Sequence, residues 1–331
     1  MLAKLLQVTI VAAASLCASS VHGVDFTGKR IEMSVGTASG GGDDLTARLV
    51  ARHLPGQFPG QPNVVVLNMP GAAGIIQANY MTDRAPKDGT AIGLSNRQIA
   101  VLQLAGQQNI RFDVGKFQWI GSLSREPIIV FVRRDTGFES IDDMKKSKSV
   151  IVFGARAPGD TDYIAGRAIE LLGVPLKIVS GYGSGQTTIA FERGEFSASA
   201  LSRIALSIRQ EWTKPGGLAV PVLSLGGTFE KVPYGGDQKP PASRERIYGL
   251  INKVLGLPLG TFTGPPEMPA DVTSAYNDAF AAMTKDQAFL DDAAKSRVTI
   301  QPLDGATVTA AYKASIDAEE ATKNEFAELL K

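Results

Sequence analysis

Three short glycine-containing segments carry the residues best suited to chemistry in this 331-residue chain. The first, 39–44, holds Ser39, Gly40, Gly41, Gly42, Asp43 and Asp44. The second, 155–161, holds Arg156, Gly159, Asp160 and Thr161, and the third, 181–186, holds Tyr182, Gly183 and Ser184. Each follows an apolar run that reads as a strand and precedes a segment of helical periodicity. Glycine lets the main chain approach a ligand closely. The free N–H groups and dipole of a helix start favour an anion. Ser39, Thr161, Ser184 and Thr187 add neutral hydroxyl donors. Together these residues could grip a small carboxylate from more than one side. Each segment taken alone is also an ordinary strand-to-helix turn.

Covalent and acid–base chemistry has far less material. The chain contains two histidines, His22 and His53, and one cysteine, Cys17. His53 sits late in a helical segment and reads as a surface or capping residue. A Ser-His-Asp or Cys-His site would rest on it alone, and a zinc site would lack ligands. Asp43/Asp44 and Asp160/Asp162 are pairs of a kind common in loops. No Gly-Lys-Ser/Thr closes a glycine run. Gly181, Gly183 and Gly185 match a dinucleotide fingerprint only loosely. The reading is therefore of a binding protein with no cofactor and no metal, not an enzyme.

The elements that must position these loops alternate. The stretch 31–35 has the period of a strand, and 43–54 that of a helix with Leu45, Leu49 and Val50 on one face. Asp43 or Asp44 would cap it. Val64, Val65, Val66 and Leu67 form a short apolar run suited to a strand buried on both faces. The pattern resumes with strands at 128–132, 150–153, 176–179 and 218–225, and helices at 161–172 and 186–193. Val272, Tyr276, Phe280 and Met283 recur at helical spacing and read as core. The stretch 306–330 also reads as helical. Alternation of this kind predicts an α/β fold with mainly parallel sheets. The segment 226–243, rich in glycine and proline, reads as an exposed excursion.

The N-terminus sets the compartment. Lys4 precedes an apolar stretch, 5–16, and Val21 and Gly23 occupy the −3 and −1 positions of a cleavage site. This is the pattern of a signal peptide over 1–23, cleaved near Gly23. Ala14 and Leu16 fit a lipobox around Cys17 poorly. The remaining ~308 residues suit two domains. A net charge of +1 with dispersed Lys and Arg leaves no nucleic-acid footprint.

Several motifs resemble those of a known family. Ala38-Ser39-Gly40-Gly41-Gly42-Asp43-Asp44-Leu45-Thr46-Ala47-Arg48 resembles the first loop of the extracytoplasmic binding proteins of tripartite tricarboxylate transporters, the Bug or TctC-like family. Asn68-Met69-Pro70-Gly71-Ala72-Ala73-Gly74 and Ala85-Pro86-Lys87-Asp88-Gly89-Thr90-Ala91 follow in the family's order and spacing. Phe262-Thr263-Gly264-Pro265-Pro266 resembles a later element. The resemblance implies a two-lobed type II periplasmic-binding-protein fold with a ligand cleft between the lobes. One lobe would combine 24–123 with 245–331, and the other would span 124–244. It implies a periplasmic monomer that closes on an organic acid, aromatic carboxylate or amino acid and delivers it to membrane transporter subunits. It places Ser39, Gly40, Gly41, Gly42 and Asp44 at the ligand in the first lobe. Arg156, Gly159, Asp160, Thr161, Tyr182, Gly183 and Ser184 fall at the ligand in the second.

Two positions depart from the family. Asp160 replaces a serine, and Tyr163 stands where a histidine is frequent. Asp160 and Asp162 would place negative charge at the far end of an anionic ligand, at a cost of about 4 kcal/mol per like pair at ~4 Å. These carboxylates point away, or Arg156 neutralises one, or the ligand's far end is neutral or cationic. Arg97 and Arg203 are further carboxylate partners by virtue of the guanidinium fork. Two other readings fit the alternating pattern: a sensory module that presents its ligand to a membrane kinase, and a nucleotide-dependent enzyme built around the glycines at 181–185.

Overall fold

The computed structural model describes residues 24–183, 185–296 and 298–331. Residues 1–23, the expected signal peptide with His22 and Cys17, and Ser184 of the third loop, lie outside the described residues. Strands are β1 (Arg30–Val35), β2 (Asn63–Asn68), β3 (Ala91–Ser95), β4 (Gln118–Ser124), β5 (Ile128–Arg133), β6 (Ile151–Gly154), β7 (Leu176–Val179), β8 (Ala198–Ser202), β9 (Ala219–Leu225), β10 (Leu259–Gly264) and β11 (Leu303–Asp304). Helices are α1 (Gly42–His53), α2 (Ile75–Asp83), α3 (Gln98–Leu104), α4 (Ile141–Lys145), α5 (Thr161–Leu171), α6 (Gln186–Arg193), α7 (Arg203–Ser207), α8 (Gln210–Thr213), α9 (Glu245–Leu255), α10 (Ala270–Met283), α11 (Gln287–Lys295), α12 (Gly305–Ile316) and α13 (Glu320–Leu329).

The strands form two sheets. One has the order β11-β4-β10-β3-β1-β2 and the other β7-β6-β8-β5-β9. This is a two-lobed α/β architecture with helices flanking each sheet. Both sheets are mixed, where alternation predicts mainly parallel ones. β1, β2 and β3 pair in parallel, as do β6, β7 and β8, each set joined by helical crossovers. β10 runs antiparallel to β3 and β4, and β5 runs antiparallel to β8 and β9. The reversed strands flank the points where the chain passes between sheets, so they enter from the opposite side.

Two segments make those passages, 125–127 and 256–258. Arg125 Nε donates to the Gly256 carbonyl at 2.8 Å and ties one to the other. Gly226, with φ +71°, lies so close to the Leu255 carbonyl that a Cβ would collide with it. Only glycine fits such a left-handed, crowded position.

Apolar spacing explains the layers. Ile164, Ala165, Ala168 and Ile169 face one side of α5 and are buried. They share a core with Ile247, Ile251 and Val254 of α9 and with Val130 and Val132 of β5. Tyr276, Phe280 and Met283 of α10 pack against the six-stranded sheet, as their spacing predicts. The expected single helix over 306–330 is two helices. Its apolar face is interrupted at Asp317, whose φ −80° and ψ 78° end α12. The 226–243 excursion is irregular and partly anchored, since Tyr248 of α9 donates its hydroxyl to the Gly235 carbonyl at 2.8 Å.

Candidate functional site

The first loop is built around Asp44 rather than open to a ligand. Gly40, at φ +83°, donates its N–H to Asp44 Oδ2 at 2.8 Å. Arg48 Nε donates to the same oxygen at 3.0 Å, and Asn68 Nδ2 donates to Oδ1 at 2.9 Å. Asp44 is buried. The Arg48 guanidinium and these N–H donors hold its carboxyl down at about 2. Neither Asp43 nor Asp44 caps α1; the cap position falls on Gly41, without a side-chain hydrogen bond. Asp44 lies inside the first turn and reaches back to Gly40 instead. Ser39, Gly40, Gly41 and Gly42 are exposed, and Ser39 Oγ stands 3.5 Å from Asp44.

Next to that loop a cleft opens at the C-terminal ends of β1, β3, β6 and β8. It consists of two adjoining cavities of about 290 and 320 Å³ that share Arg97, Arg156, Thr161 and Leu259. The smaller adds Gly36, Thr37 and Asp43 after β1, Asn96 and Gln98 after β3, and Asp160 from the loop before α5. The larger adds Asp162, Thr187, Thr188, Ser202 and Arg209 among others. Strand C-terminal ends are where open α/β sheets bind ligands.

Arg97 lies at the centre, only 4% exposed. Its Nη1 donates to the carbonyls of Leu255 at 2.5 Å, at the end of α9, and Leu257 at 3.2 Å, in the second passage between lobes. Burial lowers its pKa to about 10, so the guanidinium stays charged at neutral pH. Its Nε is buried and finds no partner among the described residues. Thr37 Oγ1 is in the same condition. Buried polar groups are normally hydrogen-bonded, so two orphaned atoms on residues that line one cleft set this region apart.

The second loop carries the other charges. Arg156 donates its main-chain N–H and its Nε to Asp162 Oδ2 at 3.2 and 3.1 Å. Its Nη2 lies 3.7 Å from Asp160 Oδ1. Burial pushes the Asp160 carboxyl up, Arg156 pulls it down, and Asp162 pushes it up again. Burial also raises Asp43, opposed by Asn96. Gln98 Nε2 donates across the cleft to the Gly159 carbonyl at 2.7 Å. Arg209 Nη2 donates to Thr188 Oγ1 at 3.2 Å.

The structure therefore gathers Arg97, Arg156, Asp160 and Thr161 from the residues singled out in the sequence, with Gly159 at the rim. Asp44 supports the first loop from behind. Tyr182 turns away, its ring 5.3 Å from Phe196 and its hydroxyl 3.5 Å from Glu195. Gly183 donates its N–H to Gln186 Oε1 at 2.7 Å and does not line the cleft. Arg203 pairs with the fully buried Glu126 at 2.8 Å and faces a different cavity. Sequence reasoning passed over Thr37, Asn96 and Arg209; the first two follow strands directly, so the strand-end rule could have found them. His53 bonds Asp292 at 2.9 Å on the outer surface.

Another cavity is larger, about 1000 Å³, and lies by the first passage, between α7, α8 and the excursion. It touches none of the three strand-to-helix loops. Among the described residues no cluster of three or more His, Cys, Asp or Glu is placed to hold a metal ion. No helix among them is long and apolar enough to cross a membrane.

Solved structures share this fold along nearly the whole chain. A TctC solute-binding protein from Polaromonas superposes with a TM-score of 0.70 at 19% identity, covering 90% of this chain and 98% of that one. Rpa4515 of R. palustris with adipate gives 0.61 at 17%, covering 92% and 98%. MatC of Rhodopseudomonas palustris with bound malate gives 0.57 at 15%, covering 91% and 99%. No protein-family model matches the sequence, and no curated protein matches it.

Proposed function

We propose that this chain is an exported solute-binding protein of the tripartite tricarboxylate transporter type. It captures a small carboxylate-bearing solute in the cleft around Arg97 and delivers it to membrane transporter subunits. The observation that carries this reading is the pair of orphaned polar groups, Arg97 Nε and Thr37 Oγ1, in a cleft at the strand ends. A carboxylate supplies the acceptor that both lack. The fold is that of binding proteins whose solved structures hold malate and adipate, and the motifs around 38–91 add a second line of support.

In this reading the lobes divide at the two passages, so that α9, expected from the sequence in the first lobe (24–123 with 245–331), goes with the second (124–244), on whose core it packs, and the chain acts as a monomer in the periplasm after loss of 1–23. Passages 125–127 and 256–258 are the hinge, and rigid-body closure about it buries the ligand. The test is a thermal-shift and calorimetric screen of mono- and dicarboxylates and amino acids on ligand-free protein. At least one should bind with micromolar affinity or better and raise the melting temperature. No binding by any member to folded protein overturns the reading.

A further inference from the structure

We infer that the cavity of about 1000 Å³ beside the first passage is a second ligand site, which takes a monoanion with a bulky apolar body. It goes beyond carboxylate capture in the cleft and does not depend on it.

One short helix, α7, and the turn after it separate the two sites. Ala205 and Arg209, four positions apart, line the cleft. Arg203, Leu206, Ser207 and Gln210 turn the other way and line the cavity. The entry to β5 divides likewise, with Ile128 on the cleft and Pro127 on the cavity. At about 1000 Å³ the cavity exceeds the two parts of the cleft, about 290 and 320 Å³, taken together. Its walls come from three places. Arg125 stands in the first passage, Gln301 comes from the segment ahead of β11, and the rest belongs to α7, α8, the end of β9 and the excursion.

Five charged groups set the field inside. Arg203 is answered at 2.8 Å by the fully buried Glu126, which does not line the cavity. Arg125 donates its Nε to the Gly256 carbonyl, a partner without charge. Lys214 makes no ion pair among the described residues. Glu230 is the one carboxylate in the lining, and it pairs with none of the three cations. One positive charge is left over, inside a recess whose walls strengthen its field.

Between the charges the lining is apolar. Pro127, Leu206 and the rings of Phe229 and Tyr234 supply it. Phe229 packs on the core that holds Phe131 and Trp212, so that wall is fixed. Mostly apolar walls with a few placed polar groups are the make-up of a small-molecule site. The single excess charge suits a monoanion better than a polyanion or a neutral molecule. The volume and the aromatic walls suit a body of fused rings or a folded acyl chain better than a bare inorganic ion.

The experiment is fluorescence titration of the mature protein with 8-anilino-1-naphthalenesulfonate and with N-phenyl-1-naphthylamine, the same ring system without the sulfonate. The sulfonate should saturate one site and bind at least about tenfold tighter than the amine. Lys214→Glu should weaken the sulfonate by at least about fivefold and leave the amine unchanged. Gln210→Trp should exclude both by filling the space. Arg97→Lys, a change in the cleft, should leave the sulfonate's affinity as it was. Lys214 and Gln210 are both exposed, and melting curves check that each variant folds; Lys214→Gln repeats the charge test with a milder change. A smaller preference for the sulfonate overturns the inference, as does an affinity that survives Lys214→Glu. Loss of the sulfonate in Arg97→Lys overturns it by placing the probe in the cleft. So does the lack of any saturable sulfonate binding to folded protein. None of these outcomes bears on carboxylate capture, which the carboxylate and amino-acid screen decides separately.

Discussion

Gln98 Nε2 donates across the cleft to the carbonyl of Gly159, 2.7 Å away, a direct hydrogen bond between the two lobes at the candidate site. Gln98 opens α3 beside the six-stranded sheet, whereas Gly159 precedes α5 of the other lobe. The bond can form only when the lobes are together. Gln98→Ala should therefore speed ligand release, by about three- to tenfold for one neutral hydrogen bond. Stopped-flow dissociation would measure it, and the melting temperature without ligand should barely move. An unchanged off-rate would remove Gln98 from the closing contact.

Asp44 should make the first loop acid-sensitive. Its carboxyl sits at about 2 against an ordinary 3.8. Its contribution is complete above about pH 4 and is lost as pH falls through about 2, because the folded state holds the charged form. The contribution is about 1–2 kcal/mol. Asp44→Asn should lower stability at pH 7 by that amount and narrow the gap to the parent protein as pH is lowered through that range. Urea melts at several pH values would show whether the gap closes.

Glu126 is fully buried within the first passage, and Arg203 is its one ion-pair partner among the described residues. Glu126 Oε2 has no hydrogen-bond partner there. Removing Arg203 strands a buried carboxylate. Arg203→Met should destabilise the protein by about 2–4 kcal/mol. Adding Glu126→Gln should recover a large part of that loss, since an amide has no charge to bury. Equal stability of the single and double variants would show that packing, not charge, governs this site.

Arg97 joins the ligand cleft to the second passage through Leu255 and Leu257. Arg97→Lys keeps the charge and loses the fork. Ligand affinity should fall by at least about tenfold, the cost of one charged hydrogen bond. The hinge should also loosen, seen as faster amide exchange at 255–257. Normal affinity in this variant would count directly against Arg97 as the carboxylate anchor.

Much of the fold was legible because burial leaves a periodic trace. β1, β2 and the core face of α10 follow from their apolar spacing. β4, β8 and β10 left little trace. Ala198–Ser202 is four small residues and one leucine, and Leu259–Gly264 includes two glycines. These strands are held by neighbours on both sides, β6 and β5 for β8, and β3 and β4 for β10. The site divides in the same way. Arg97, Arg156 and Asp160 were visible by charge and loop position. The inward turn of Asp44 depends on Asn68, which lies 24 positions away in sequence. Which side of a loop faces the cleft is decided by such distant partners.

The strand order also constrains how the molecule is assembled. β4 lies between β10 and β11, so both its neighbours come from the last third of the chain. The five-stranded sheet draws only on β5 to β9, a contiguous stretch. Its strands can find each other across shorter loops, whereas β4 must wait for more than a hundred residues to be made. The five-stranded sheet is thus expected to pair early, its core then completed by α9 and by Phe326 of α13, and the six-stranded sheet, including the cleft-facing ends of β1 and β3, is expected to close last. A chain cut short before β10 would leave β4 and one flank of β3 as open edges, a form prone to aggregate rather than to bind.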